Sequence, residues 1–405
     1  MALEVIKKDG TVEGWNGEKI KEAVYKAAAR VNQYVEPDIL DKLVEKVHSC
    51  LIIDRDAPTK DLHKEVIHYL RYFGLDDIAN SYQEYRDYKN TYAKSFEKVK
   101  DEADNVLLLG DRENANFDSS LVSTKGSLIK GYLTKELYRQ FYLSKEEKEL
   151  TKRGDIYIHD MRDMLMGSVN CCLFDIGNVL RGGFSMSNVD YTEPTSVLSA
   201  LQVIGDITLV ATAQQFGGFS LSQLDMVLLP YCEKTLKKAY KHAKHCFPDS
   251  APSSWDLYAR RVLKDELKQG FQSLELKLNT VPCSRGDFAF TTISFGCWNA
   301  PQWLGRYLND TDLWILKEIC EAILTTRMNG HGENHKPVVF PKLVYLYEEN
   351  YLSAFQEARD VFELAIECSS KCMYPDFLSL TGDWAHSSVG KQYMENKQVV
   401  TPMGA

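Results

Sequence analysis

Over the first ninety or so residues the apolar positions fall into three runs at helical spacing: Ile20, Val24, Ala27 and Ala28, then Leu40, Leu43 and Val47, then Leu62, Val66, Ile67 and Leu70. Steps of three and four residues put each set on one stripe of an α-helix, so three helices sharing a core are predicted. Thr59, just before Lys60-Asp61-Leu62, is the expected N-cap of the third. Ahead of them, Val5 to Val12 reads as two short strands around an Asp9-Gly10 turn. Residues 88–105 are charged and compatible with a connecting helix. Beyond Asp111, helical patterns such as Ser196 to Gln215 alternate with short apolar runs such as Val338-Val339-Phe340. That alternation predicts an α/β domain built on a largely parallel sheet. The expected organisation is a small α+β unit over 1–92 and a larger α/β domain over 93–405, with no internal repeat.

Composition adds limits. With 44% hydrophobic and 26% charged residues, the 405-residue chain has the material for cores in both units. Forty-eight basic against fifty-seven acidic side chains give a net charge of -9, which argues against a broad grip on nucleic acid or anionic membrane and leaves room for a local phosphate site. The N-terminus lacks a targeting pattern, and the longest apolar stretch, around Val197 to Phe216, is broken by Gln202 and Asp206, so a cytoplasmic protein is expected. Ten cysteines at irregular spacing, with no CxxC pair, read as reduced thiols and supply no structural zinc site.

Several residue groups carry candidate chemistry. The hairpin sets Lys7 and Lys8 beside Lys19 at the start of the first helix, where ammonium and backbone N–H groups suit a triphosphate; a solvated basic edge is the plainer alternative. On a strand Cys171 and Cys172 point to opposite faces, which leaves one thiol beside Asn170 and sends Cys172 and Phe174 into packing. His159-Asp160 is expected to be a buried, hydrogen-bonded pair. Cys232, His242, His245 and Cys246 share an amphipathic helix with Leu236, Ala239, Tyr240 and Ala243, so they are read as helix surface, with no metal assigned. Cys368 and Cys372 stand one helical turn apart. The pairs Gly182-Gly183 and Gly217-Gly218 suit tight turns or close approach of backbone or ligand.

Lys7-Lys8-Asp9-Gly10, Glu13, Lys19-Ile20, Thr59-Lys60-Asp61-Leu62-His63 and Ala79-x-x-Tyr82-x-x-Tyr85-Arg86 together resemble an ATP-cone, the regulatory nucleotide-binding module of ribonucleotide reductases. The resemblance implies that Lys7, Lys8, Glu13, Lys19 and Thr59 line an allosteric site for ATP or dATP, with Mg. Lys8 replaces a common arginine, which changes the phosphate geometry available there.

A second ordered series runs through Glu113-Asn114-Ala115-Asn116, Arg153-Gly154-Asp155 to His159-Asp160, Asn170-Cys171-Cys172 and Gly182-Gly183-Phe184. It continues through Gln214-Gln215-Phe216-Gly217-Gly218, Asp225 to Tyr231, Gln272-Ser273-Leu274-Glu275, Phe340-Pro341-Lys342, Met373-Tyr374-Pro375-Asp376 and Thr401-Pro402-Met403-Gly404-Ala405. The series resembles the catalytic domain of anaerobic (class III) ribonucleoside-triphosphate reductases. By that resemblance the fold is an incomplete ten-stranded α/β barrel of the ribonucleotide reductase and glycyl-radical type. The reaction is radical reduction of ribonucleoside triphosphates, with Cys171 as the reducing thiol and Asn114, Asn116, Asn170, Gly217 and Gly218 at the substrate. Also implied are deoxyribonucleotide effectors, a homodimer and a radical-SAM activating enzyme. Ala405 stands where the resemblance places the thiyl cysteine, and the radical glycine and a zinc site are expected further on, so the chain alone is expected not to reduce ribonucleotides. Two other readings are a non-catalytic ATP-cone regulator and a different glycyl-radical enzyme. The cone and the early Asn170-Cys171 pair count against the latter.

Overall fold

The computed structural model describes residues 4–7, 10–51, 56–108, 118–167, 169–186, 188–215, 217–283, 286–300 and 304–381, with residues 51 and 56–60 described as backbone alone. The chain divides into two compact units, one ending at Asp101 and the other starting at Glu102.

The first unit runs β1 (Glu4–Ile6), β2 (Val12–Gly14), α1 (Gly17–Arg30), α2 (Pro37–Leu51), β3 (Asp56–Pro58), α3 (Thr59–Tyr72) and the start of α4 (Asp76–Leu108). β1 and β2 form the expected hairpin, with Val5 opposite Glu13, and Gly10 takes the positive φ its turn requires. β3, unforeseen in the sequence, pairs parallel to β1 and completes a sheet of order β2-β1-β3. Val24, Ala27, Leu40, Leu43, Val47, Val66 and Leu70 are fully buried in one core, with Ile67 at its edge. Asn16 caps α1 by accepting from the Glu18 N–H at 3.0 Å, and Ser81 Oγ of α4 donates to the Ala27 carbonyl at 3.0 Å. Thr59 is already the first residue of α3, one position inside the expected cap; its side chain lies outside the described residues.

The second unit begins with α5 (Val122–Phe141), α6 (Lys145–Arg153), β4 (Cys172–Phe174), α7 (Ile176–Arg181), the hairpin β5 (Phe184–Met186) and β6 (Val189–Tyr191), and α8 (Val197–Thr212). It continues with β7 (Phe219–Leu221), α9 (Leu224–Cys246), α10 (Pro252–Thr280), β8 (Thr291–Phe295), α11 (Asp310–Asn329), β9 (Lys342–Tyr347), α12 (Glu349–Ala354), α13 (Gln356–Cys372) and β10 (Asp376–Ser379). Five strands form one all-parallel sheet in the order β10-β9-β8-β7-β4. Spatial order therefore follows chain order, each strand being added on the same side after a helical crossover, which is a winding that sends every connection the same way.

Close helix packing rests on two glycines. A Cβ on Gly270 of α10 would sit 2.5 Å from Leu201 Cδ1 of α8, and one on Gly205 of α8 would sit 2.9 Å from Lys277 Cδ of α10. Asp206, which interrupts the longest apolar stretch, pairs with Lys277 at 2.6 Å. The expected helix from Ser196 to Gln215 is α8, with Ser196 as its N-cap. The run Val338-Val339-Phe340 is not a strand: β9 begins after it, at Lys342. Pro341 has no N–H for a ladder, and the Phe340 N–H is taken by Asn279 Oδ1 at 3.1 Å. Beneath this loop the buried Glu275 carboxylate accepts from Arg327 Nε at 2.9 Å and faces His331 Nε2 at 3.0 Å.

Candidate functional site

β4 and β7 are parallel neighbours with Cys172 level with Phe219, so the residues just before each strand also lie side by side. Asn170 and Cys171 thereby meet Gly217 and Gly218. The Gly217 N–H donates to the Asn170 carbonyl at 2.6 Å, the Gly218 N–H donates to Cys171 Sγ at 3.1 Å, and the Cys172 N–H donates to the Gly218 carbonyl at 3.0 Å. The Cys171 thiol is directed at Asn170 Oδ1, 3.4 Å away. A Cβ on Gly217 would lie 2.1 Å from Asn170 Oδ1 and 2.5 Å from Cys171 Sγ, so only glycine allows this approach.

The two cysteines differ as strand alternation requires. Cys172 and Phe174 pack against the core, and the Cys172 thiol donates to Gln215 Oε1 at 2.8 Å. Burial pushes its pKa up, with the neighbouring Cys171 adding to the shift. Cys171 points the other way and is half-buried.

Beside this cluster is a cavity of about 440 Å³. One face of α5 supplies Ser123, Ser127, Lys130 and Thr134, and Arg162, Gln214 and Gln215 close other sides. α5 is anchored by Thr124 Oγ1, which donates to the Gly286 carbonyl at 2.6 Å, and by Thr134 Oγ1, which donates to the Arg162 carbonyl at 2.7 Å. Arg162 Nε donates to Asp163 Oδ2 at 2.9 Å, while Asp287 lies 3.9 Å from its Nη2. The lining is rich in hydroxyl, amide and cationic donors, the chemistry that suits an anion. Cys171 does not line this cavity; Gln215 lines it and also bonds Cys172 and the Gly217 and Gly218 carbonyls beside Cys171. Asn114, Asn116 and Ala405 lie outside the described residues.

In the first unit Lys7 and Lys19 both pair with Glu13. The hydrogen bonds from Lys19 and then Lys7 hold its carboxyl far down, at about 2. Lys8 and the Thr59 side chain lie outside the described residues. Nearby motif residues His63 and Tyr82 join through Nδ1 and the phenol oxygen at 2.6 Å.

Other sequence candidates are placed differently. His159 is exposed, its ring paired with adjacent Asp160, because the segment around it crosses the surface; the expectation of a buried histidine is corrected. On α9, Cys232 is buried while His242 and Cys246 form an exposed pair with Nε2 and Sγ 3.7 Å apart. Cys368 is buried, with its thiol directed at the Leu324 carbonyl. Among the described residues no group of three His, Cys, Asp or Glu gathers to hold a metal, and no helix is long and apolar enough to cross a membrane.

Three side chains given no role in the sequence reading shape the larger unit: Gln215, Arg162 and Asp225. A signal for the cavity was present in the spacing of Ser123, Ser127, Lys130 and Thr134, which share one helix face. Asp225, in the first turn of α9, is fully buried and accepts from the backbone N–H groups of Gly296 and Cys297, both at 2.9 Å. It thus ties the loop after β8 back to the start of α9, the helix that follows the neighbouring strand β7.

Comparison with known proteins decides the family. A family model described as anaerobic ribonucleoside-triphosphate reductase matches residues 113–405. The chain belongs to that family. A model described as the ATP cone domain matches residues 3–91. The anaerobic ribonucleoside-triphosphate reductase of Salmonella typhimurium is 30% identical over 388 residues, covering 94% of this chain and 52% of that protein. The Escherichia coli reductase is 29% identical over 388 residues, and that of bacteriophage T4 is 30% identical over 299 residues, covering 72% of this chain and 44% of its own. The chain spans about half the length of the curated reductases it matches. A crystal structure of the Thermotoga maritima anaerobic ribonucleotide reductase in complex with dATP and CTP is similar at a TM-score of 0.45 and 16% identity, over 73% of this chain and 49% of the other.

Proposed function

We propose that this chain provides the nucleotide-regulated front part of an anaerobic ribonucleoside-triphosphate reductase, in which Cys171 is the thiol that faces the ribose and supplies the reducing hydrogen. The observation that carries the reading is the clasp of Asn170-Cys171 by Gly217-Gly218, which fixes the Cys171 thiol at a strand edge while the half-buried Cys172 packs against the core and bonds Gln215. Asn170 Oδ1, already directed at that thiol, is placed to accept from a ribose hydroxyl. The cavity lined by α5 and Arg162 takes the triphosphate. Asn114 and Asn116 complete the substrate contacts. The sequentially ordered parallel sheet is the first part of a ten-stranded barrel.

At the cone, Lys7, Lys8, Lys19 and Thr59 receive ATP or dATP with its Mg. Glu13 holds the two ammonium groups together in the meantime and gives one up to phosphate. Family membership supports a homodimer, deoxyribonucleotide effectors and a radical-SAM activating enzyme as partners, with the radical glycine and zinc carried by segments outside this chain.

Titration calorimetry with dATP and site-resolved alkylation test the two halves separately. Lys19→Gln is expected to weaken dATP binding at least roughly tenfold, the worth of one charge-assisted hydrogen bond. A saturating ribonucleoside triphosphate is expected to slow alkylation of Cys171 in the wild-type chain and in Lys19→Gln alike. Unchanged dATP affinity in the variant overturns the cone site, and a Cys171 rate indifferent to every ribonucleotide overturns the substrate site.

A further inference from the structure

Gln215 stands between the cavity and the reactive edge of the sheet. It is only 3% exposed, and its carboxamide is committed on both sides. Oε1 accepts from the Cys172 thiol at 2.8 Å, while Nε2 donates to the Gly217 carbonyl at 3.1 Å and the Gly218 carbonyl at 2.7 Å. The two residues whose carbonyls it holds are also the two whose N–H groups reach Asn170 and Cys171. Gly217 has no slack against those partners, so a shift of this segment displaces the N–H that fixes the Cys171 sulfur. The same glutamine lines the cavity that holds Lys130 and Arg162. Arg162 shares its charge with Asp163 and Asp287, whereas Lys130 forms no ion pair among the described residues and is the cation left for an incoming anion.

We propose that Gln215 is a positioning residue for Cys171, one that couples occupancy of the α5 cavity by a polyphosphate anion to the placement of the Cys171 sulfur. This rests on the reading of Cys171 as the thiol facing the substrate. Among the described residues no other side chain that lines the cavity bonds Cys172 or the Gly217-Gly218 carbonyls, so the signal passes through this one amide. An anion drawn to Lys130 and the α5 hydroxyls presses on the Gln215 side of the cavity. The amide then transmits the change to two carbonyls that have no other side-chain partner among the described residues.

The test uses the full chain, reduced and kept from oxygen, treated with iodoacetamide and read peptide by peptide by mass spectrometry, with and without inorganic tripolyphosphate. In the wild type, Cys171 is expected to react ahead of Cys172, and tripolyphosphate is expected to change the Cys171 rate at least roughly threefold. Gln215→Leu keeps the side-chain volume and removes the amide. It is expected to cut the preference for Cys171 over Cys172 by about tenfold and to abolish the response to tripolyphosphate. Lys130→Gln, an exposed change that leaves the core alone, is expected to keep the preference and lose only the response. Wild-type preference and response in Gln215→Leu overturn the proposal, as does an undiminished response in Lys130→Gln. Should ribonucleotides fail to protect Cys171 while tripolyphosphate still acts through Gln215, the substrate reading falls and the coupling stands.

Discussion

Asp225 shows burial overriding hydrogen bonding at a single residue. Desolvation in the core pushes its pKa from 3.8 up to about 6, although the N–H groups of Cys297, Met226 and Gly296 all favour the carboxylate. The folded chain therefore binds a proton that the unfolded chain has released between those two values. Stability from this group is present at low pH, falls as pH rises from 3.8 to about 6, and is level above that. The difference in unfolding free energy between the wild type and Asp225→Asn is expected to shift by roughly 2 kcal/mol against the wild type between about pH 4 and about pH 7. Urea denaturation of both proteins across that range checks it, and a pH-independent difference contradicts the buried proton. Such a role was not legible in the sequence, because an aspartate near a helix start is usually a solvated cap. The opposite placing of Cys171 and Cys172 was legible, since strand alternation dictates it.

Among the elements, α11 depends on a local device. Asn309 Oδ1 accepts from the N–H groups of Thr311 at 2.9 Å and Asp312 at 3.1 Å, and Asp312 Oδ2 accepts in return from the Asn309 N–H at 2.9 Å. This reciprocal cap begins a helix whose Ile315, Leu316, Ile319 and Cys320 are fully buried, so fraying there reaches the core. Asn309→Ala is expected to lower global stability by about 1 to 2 kcal/mol, seen as an earlier denaturation midpoint with an unchanged slope. A midpoint equal to wild type removes the cap from the account. Helices were the readable part of this chain: the stripes of α1, α2 and α3 appear as written, and α8 differs by a few residues. Strands were not. Most have three residues, too few for a period to register, and β3 and the β5–β6 hairpin gave no signal. Val338-Val339-Phe340 carried a strand composition that Pro341 and Asn279 cancelled.

At the scale of the molecule, the division into two units makes a separable claim. The core of the first unit lies wholly between Ile20 and Tyr82, so a fragment of residues 1–101 is expected to melt in one cooperative transition. Glu13, with its pKa held near 2, contributes stability above its unfolded value of 4.5 that is lost as pH falls toward 2. Circular dichroism melts of the fragment should show a smaller acid-induced drop in Tm for Glu13→Gln than for wild type. A fragment without a cooperative melt, or equal drops, contradicts these assignments. By itself the sequence determined the helical stripes, the alternation that makes a parallel α/β unit, and the ordered motifs that mark a reductase with an ATP-cone, because these depend on neighbours along the chain. Tertiary structure alone decided that Asn170 and Cys171 meet Gly217 and Gly218, that Gln215 bridges that edge to a cavity, and that Asp225 is buried. Each of these joins residues tens of positions apart, and such a contact exists only once strand register has brought the segments together.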